Sequence, residues 1–209
     1  MNKSYLVGSV FTLLMGATNL ASAAPVSMRP ALSVKGDGLN ARWVDTDFSP
    51  HNLADATLAT NLNLGDTGFV NEINQVVTSI NFIDNAFTTQ SGNSGAKSAN
   101  HTITPLEPDD NFAVRYTGFI NIKTDDTYSF NAFTDDGFGL TIGGDQILKF
   151  DGDRAPASSS IDVFLPKGFY SFEFVGWEQG GQFVNELSWR TQSSSSFSVI
   201  NSDVLFTSA

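Results

Sequence analysis

Residues 112–144 read FAVRYTGFINIKTDDTYSFNAFTDDGFGLTIGG, and apolar and polar side chains alternate through most of this stretch. Phe112, Val114 and Tyr116 share one face of the first segment, and residues 128–133 repeat the alternation. Runs of this length and period predict β-strands with one buried face. The dipeptide Gly143-Gly144 at the end of the stretch predicts a tight hairpin turn.

Short segments of the same kind precede and follow this stretch. We predict further strands at 39–44, 78–83, 161–165, 169–175 and 186–189, a tight turn at 166–168, and one short helix or a loop around 52–64. Asp outnumbers Glu by 17 to 5, and Asp favours turns where Glu favours helices. The pattern is typical of an all-β protein with little helix, built as an antiparallel two-sheet sandwich or barrel.

The first 23 residues have the features of a secretory signal peptide. Lys3 is the basic residue, residues 6–17 are the apolar stretch, and Ala21-Ser22-Ala23 fits the cleavage rule. The apolar stretch is shorter than the roughly 20 residues that a membrane span requires. We therefore expect residues 24–209 to form one domain, extracellular or periplasmic, in which the Gly/Ser/Asn-rich segment 88–99 is a surface loop.

Composition and charge narrow the classes of function. The chain has 209 residues, a net charge of −11 and no cysteine. Thiolate metal sites and thiol nucleophiles are therefore excluded, and repulsion from phosphate groups disfavours nucleic acids and anionic lipid surfaces as partners. The two histidines, His51 and His101, form no arrangement typical of a catalytic site, so we expect a protein that is not an enzyme.

Several motifs follow one another in a fixed order. They are Gly38-Leu39-Asn40-Ala41-Arg42-Trp43, an aromatic strand ending near Gly118, Tyr128-Ser129-Phe130, Thr134-Asp135-Asp136-Gly137, Leu140-Thr141-Ile142-Gly143-Gly144, Leu165-Pro166-Lys167-Gly168-Phe169-Tyr170 and Leu187-Ser188-Trp189. This order resembles the protective-antigen-type (PA-fourteen) domain family, which occurs in bacterial toxins, glycoside-processing enzymes and microbial adhesins. The resemblance covers about residues 32–207 and implies a jelly-roll-like β-sandwich.

The resemblance also implies a calcium site at Asp135-Asp136, because lectin-like members of the family bind Ca²⁺ through two adjacent Asp residues joined by a cis peptide bond. Ca²⁺ takes six to eight oxygen ligands. Consecutive side chains of an ordinary strand point to opposite faces, whereas a cis bond brings the Cα atoms to about 2.9 Å and lets both carboxylates converge. The pairs 109–110 and 125–126 precede strands and are typical of turns. Residues 151–153 lack the remaining ligands of a calcium-binding loop, so we expect a solvated turn there.

The loop after Trp177 supplies the other ligands in the family. By resemblance, the Gln179 side chain and the backbone oxygens of Gly181 and Phe183 would complete the calcium shell. Gln179 stands where the fungal flocculins have Asn, and Gln182 or Glu178 is the alternative side-chain ligand.

The same loop is expected to select the sugar. Trp177 or Phe183 would stack on the apolar face of a sugar, with Glu178 and Gln182 beside it, whereas Trp43 and Trp189 are expected in the core. The sequence thus favours a secreted calcium-dependent carbohydrate-binding module or small adhesin. The alternative is a non-catalytic structural or protein-interaction module of an extracellular assembly, with calcium structural or absent.

Overall fold

A computed structural model describes residues 35–83, 110–181 and 183–209, which form twelve β-strands and one α-helix. The predicted signal peptide, the predicted loop at 88–99 and His101 lie outside these residues. In chain order the elements are β1 (Leu39–Thr46), α1 (Leu53–Ala59), β2 (Phe69–Val77), β3 (Asn81–Ile83), β4 (Phe112–Ile122), β5 (Asp126–Asp135), β6 (Phe138–Ile142), β7 (Asp145–Phe150), β8 (Ala157–Leu165), β9 (Gly168–Glu178), β10 (Val184–Thr191), β11 (Ser198–Val199) and β12 (Leu205–Phe206). Within the described ranges, no helix has the length and apolar character needed to cross a membrane.

The strands form two antiparallel sheets. The larger sheet has seven strands in the order β2-β1-β4-β9-β6-β7, with β12 paired to β4. The smaller sheet has five strands in the order β11-β10-β5-β8, with β3 paired to β10. In the described part of the chain the sheets do not close into a barrel, so the sandwich form of the predicted all-β fold is confirmed.

Aromatic side chains fill the space between the sheets. Trp43 on β1 lies with its ring centroid 5.0 to 5.8 Å from those of Phe82, Phe112, Tyr116 and Phe183. Phe82 belongs to the smaller sheet, so these edge-on and tilted contacts join the two layers. Burial of such large rings is the main source of hydrophobic stabilisation in a sandwich, and the expected core position of Trp43 is confirmed.

Helix α1 covers part of the outer face of the larger sheet. Asn52 caps its first turn, where the side-chain oxygen accepts a hydrogen bond of 3.0 Å from the Asp55 amide. Ala56 and Ala59 pack against Trp177 and its neighbours on β4 and β9. The short helix predicted within 52–64 is therefore confirmed, and it buries one end of β9.

The strands and turns with clear alternation were predicted, and the weakly patterned strands were missed. Gly143 and Gly144 form the predicted hairpin turn with φ values of 64° and 91°, a region that favours glycine. Strand β2 was not predicted because it is an exposed edge strand whose side chains alternate poorly. Strands β7, β11 and β12 were missed as well, and only β3 forms in the segment 78–83.

Candidate metal centre

The Asp135-Asp136 pair lies at the corner between β5 and β6, where the chain leaves the smaller sheet and enters the larger one. The peptide bond between the two residues is cis. The Asp136 amide donates a hydrogen bond of 3.0 Å to the carbonyl oxygen of Trp177, near the end of β9. A Cβ atom at Gly137 would lie 2.3 Å from the Trp177 ring and 2.6 Å from the Gly152 carbonyl oxygen, so only glycine fits the corner.

Three carboxylates converge at this corner. One oxygen each from Asp135, Asp136 and Glu178 lies within 4.8 Å of the other two. Their exposed fractions are 8%, 3% and 0%. Glu178 is the last residue of β9, so the triad joins the two sheets.

Backbone donors fix the orientation of the Asp136 carboxylate. Its Oδ1 accepts a hydrogen bond of 3.0 Å from the Arg154 amide, and its Oδ2 accepts one of 2.9 Å from the Gln179 amide. Each carboxylate oxygen has two acceptor positions, so both oxygens can still coordinate a cation. Burial raises the pKa of Asp136, although these two amides act in the opposite direction.

The two carboxylate oxygens of Glu178 differ in their hydrogen bonding. Its Oε1 accepts a hydrogen bond of 2.8 Å from the Gly180 amide. Its Oε2 is buried and has no hydrogen-bond partner among the described residues. Burial, reinforced by the nearby carboxylates of Asp136 and Asp135, raises the pKa of Glu178 to about 9. At neutral pH the site therefore holds a proton or a cation in place of a third negative charge.

The donor set fits a hard divalent cation. Such an ion would supply the missing partner of Glu178 Oε2 and offset the mutual repulsion of the three carboxylates. Carboxylate oxygens are the ligands of Ca²⁺ and Mg²⁺, whereas zinc sites use mainly Cys and His. Three carboxylates do not complete a calcium shell, so backbone oxygens, water or ligand hydroxyls would provide the rest.

The turn at residues 151–154 supports the Asp pair from the other side. Arg154 donates from Nη1 to Ser159 Oγ (2.9 Å) and from Nη2 to Thr134 Oγ1 (2.6 Å). Its guanidinium lies 4.3 Å from the ring centroid of Phe150. These contacts hold the Arg154 amide where it meets Asp136. No sequence signal identified this residue as part of the site.

The expected solvated turn at 151–153 is confirmed, because both of its carboxylates are exposed. Asp151 Oδ1 accepts a hydrogen bond of 2.8 Å from the Leu53 amide, at the start of α1. Asp153 Oδ2 lies 2.7 Å from Nδ1 of His51. Both carboxylates thus tie the turn to the segment around α1 and lie outside the acidic triad.

Only part of the loop that was predicted to complete the metal shell lies next to the triad. Gln179 lies next to Asp136 through its backbone amide, while its Nε2 donates to the Gly180 carbonyl oxygen at 3.5 Å. The Gly181 amide donates to Asp110 Oδ1 at 3.0 Å. Asp110 thus holds the loop in place. The sequence pattern assigned this residue to a turn before β4 and did not predict that role. Gln182 lies outside the described residues.

Two predicted sugar contacts require correction. Trp177 has an exposed fraction of 0% because it is buried between the larger sheet and α1. The Phe183 side chain is also fully buried, within the aromatic core beside Trp43. Neither ring can stack on a ligand in this structure. The roles of Gln179, Gly181 and the Phe183 backbone oxygen as metal ligands stay predictions.

The sequence assigns the chain to a known family. The family model described as PA14 domain matches residues 56–196, and the chain therefore belongs to the PA14 domain family. Comparison with curated protein sequences gives no match.

Solved structures of the same fold include domains from adhesins. The PA14 sugar-binding domain from an RTX adhesin superposes with a TM-score of 0.62 at 19% identity, covering 82% of this chain and 99% of that domain. The PA14 domain of the MpAFP antifreeze protein gives 0.61 at 17% identity, covering 87% and 96%. The epithelial adhesin 6 A domain from Candida glabrata, solved in complex with Galβ1-3GlcNAc, gives 0.58 at 16% identity, covering 89% and 93%. At these identities the likeness concerns the fold.

Proposed function

We propose that this protein is a secreted, calcium-dependent carbohydrate-binding module that acts in adhesion. The observation that carries the proposal is the buried acidic triad, at the corner where the sequence has its adjacent Asp pair, with a Glu178 oxygen that has no hydrogen-bond partner in the described part of the chain. Proteins of related fold include a sugar-binding domain and an adhesin domain in complex with a disaccharide, which supports the same class of ligand.

Calcium is the cation that the residues favour. The three side chains at the corner offer oxygen only, and the sequence has no cysteine for a soft metal. The corner is built from loop and strand-end residues of different elements, which suits the larger and more variable shell of Ca²⁺ better than the rigid octahedron of Mg²⁺.

The sugar would bind where the metal shell is completed. In this proposal Asp135, Asp136 and Glu178 hold the ion, and two adjacent sugar hydroxyls occupy positions that the protein leaves open. The neighbouring loop at 179–181 is half-buried to exposed, so it can contact the sugar and select it. A shallow site of this kind gives weak affinity, so adhesion would depend on several copies acting together.

A second candidate is a structural calcium site in a non-catalytic protein-interaction module. The observation that favours it is burial, since none of the three carboxylates is more than 8% exposed. An ion enclosed by protein oxygens would stabilise the corner between the sheets without contacting a ligand. Both candidates describe a binding module without catalytic function.

A glycan array with residues 24–209, in calcium and in EGTA, tests the proposal. We expect glycan binding that is lost in EGTA and in Asp136→Asn. Asp126→Asn is the matched control, because Asp126 starts the same strand and belongs to another Asp pair. That variant should bind like the unmodified protein.

Calcium titration by calorimetry separates the two candidates. Calcium binding without binding to any glycan would favour the structural site, and the absence of both would contradict both candidates. Secretion is tested separately, by measuring whether the exported chain begins at residue 24.

A further inference from the structure

A cavity of about 300 Å³ opens at the opposite end of the sandwich from the acidic triad. Tyr128 lines it near the start of β5, whereas Asp135 ends the same strand. Seven residues of extended strand separate the two positions by about 23 Å. Ligand sites in proteins begin at about this volume.

An aromatic stack forms one side of the cavity. Trp189 lies parallel to Tyr128, with ring centroids 5.0 Å apart and an interplanar angle of 24°. Trp189 packs against the core, as expected from the sequence, but it is only partly buried and also lines the cavity. Trp43 and Trp177 are fully buried. Trp189 is therefore the tryptophan that a ligand can reach.

Apart from Val204, the remaining lining residues are polar, and two of them are positively charged. Lys123 and Arg190 line the cavity together with Ser194, Ser196 and Ser198. None of the described lining residues is Asp or Glu, although the chain carries a net charge of −11. The side chain of Arg190 is held in place, since Nη1 donates to the Ser194 carbonyl oxygen at 3.1 Å.

We propose that this cavity binds an acidic saccharide, a sugar that carries a carboxylate or a sulfate group. An indole ring packs on the apolar face of a sugar, serine hydroxyls bond to sugar hydroxyls, and the two cations attract the acid group. This site uses none of the residues of the acidic triad. It therefore goes beyond the calcium-dependent function and requires no metal.

Tryptophan fluorescence in EGTA measures this binding without a contribution from calcium. The probes are trigalacturonate, a sulfated galactan trisaccharide and neutral galactotriose. We expect the two anionic probes, or one of them, to change the emission, and the probe that acts identifies the acid group. Galactotriose should act at least tenfold more weakly. Trp189→Phe preserves an aromatic ring against Tyr128. This variant should lose the fluorescence response, which identifies Trp189 as the reporter, and calorimetry measures its binding instead.

Charge reversal at two lysines tests whether the cavity itself recognises the acid group. Lys123→Glu is expected to weaken binding about tenfold, as repulsion replaces attraction. Lys167→Glu is the matched control, because Lys167 is exposed and lies outside the cavity lining. It should change affinity less than about twofold, because salt screens the interaction between an exposed charge outside the cavity and the bound acid group. Thermal melts confirm that both variants fold.

Three results would overturn the inference. They are galactotriose binding as tightly as the tighter-binding anionic probe, equal weakening by Lys123→Glu and Lys167→Glu, and no response to either anionic probe at millimolar concentration. Because every titration is made in EGTA, these results are independent of the calcium site. Loss of glycan binding in Asp136→Asn alone would leave the inference intact.

Discussion

The backbone amide of Gln179 lies 2.9 Å from Oδ2 of Asp136, and this hydrogen bond joins two loops that are 43 residues apart in the sequence. It brings the end of β9 to the corner after β5. Glu178, the residue before Gln179, thereby places its carboxylate beside the Asp pair.

Glu178→Gln should weaken calcium binding by about tenfold to a hundredfold, because it removes a negative charge that would coordinate the ion. This loss of affinity corresponds to about 1.4 to 2.8 kcal/mol of binding free energy. Without calcium the same variant should be at least as stable as the unmodified chain at neutral pH, because glutamine resembles the protonated Glu178 that the raised pKa implies and takes up no proton on folding. Calorimetric calcium titration and urea unfolding in EGTA measure the two effects. Glu173→Gln, on the same strand but partly exposed, is the control. Unchanged calcium affinity in Glu178→Gln would exclude Glu178 as a ligand.

The stability of the calcium-free protein should fall as the pH rises from about 4.5 to 9. The pKa of Glu178 in the folded chain is about 9, above its ordinary value of 4.5. The folded state therefore binds a proton that the unfolded state has released, and the free energy of unfolding decreases with pH at up to about 1.4 kcal/mol per unit. Burial raises the pKa of Asp136 and adds in the same direction.

Urea unfolding between pH 5 and 9 in EGTA measures this slope. Glu178→Gln should flatten the profile, because it removes the titrating group. Saturating calcium should flatten it too, since the ion takes the place of the proton. A free energy of unfolding that rises across this range would contradict the assignment.

Gly137→Ala should destabilise the fold by at least about 2 kcal/mol, because its Cβ atom would overlap a well-packed ring. That atom would lie 2.3 Å from two atoms of the Trp177 ring. Gly152→Ala is the control, since the nearest atom to its Cβ would be 3.9 Å away, an ordinary contact. Thermal and urea unfolding of both variants check the difference. Equal stability of the two would show that the corner tolerates a side chain.

Asp110→Ala should weaken sugar binding severalfold and change calcium affinity less than about twofold, because it releases the loop without removing a triad carboxylate. Asp110 Oδ1 accepts the hydrogen bond from the Gly181 amide, at the exposed end of that loop. Asp110→Asn retains an acceptor oxygen and should restore most of the affinity. Glycan titrations and calcium calorimetry are the measurements. An equal loss of calcium and sugar binding in Asp110→Ala would instead place Asp110 in the metal shell.

The sequence determined the strands with clear alternation, the main turns and the position of the Asp pair. Alternation along β4, β5 and β9 is a local property, because each side chain of a strand points to one face regardless of distant residues. The Gly143-Gly144 turn is local in the same sense. These features therefore follow from short stretches of the chain.

The tertiary structure alone decided which groups meet at the site. Glu178 joins Asp135 and Asp136 across 42 residues, because β9 and the corner after β5 meet through a backbone hydrogen bond. Trp177 is buried because α1 covers that part of the sheet. Such contacts depend on strand order, register and layer packing, which a single strand does not encode. The sequence placed the two aspartates, and the packing of the sheets added the third carboxylate.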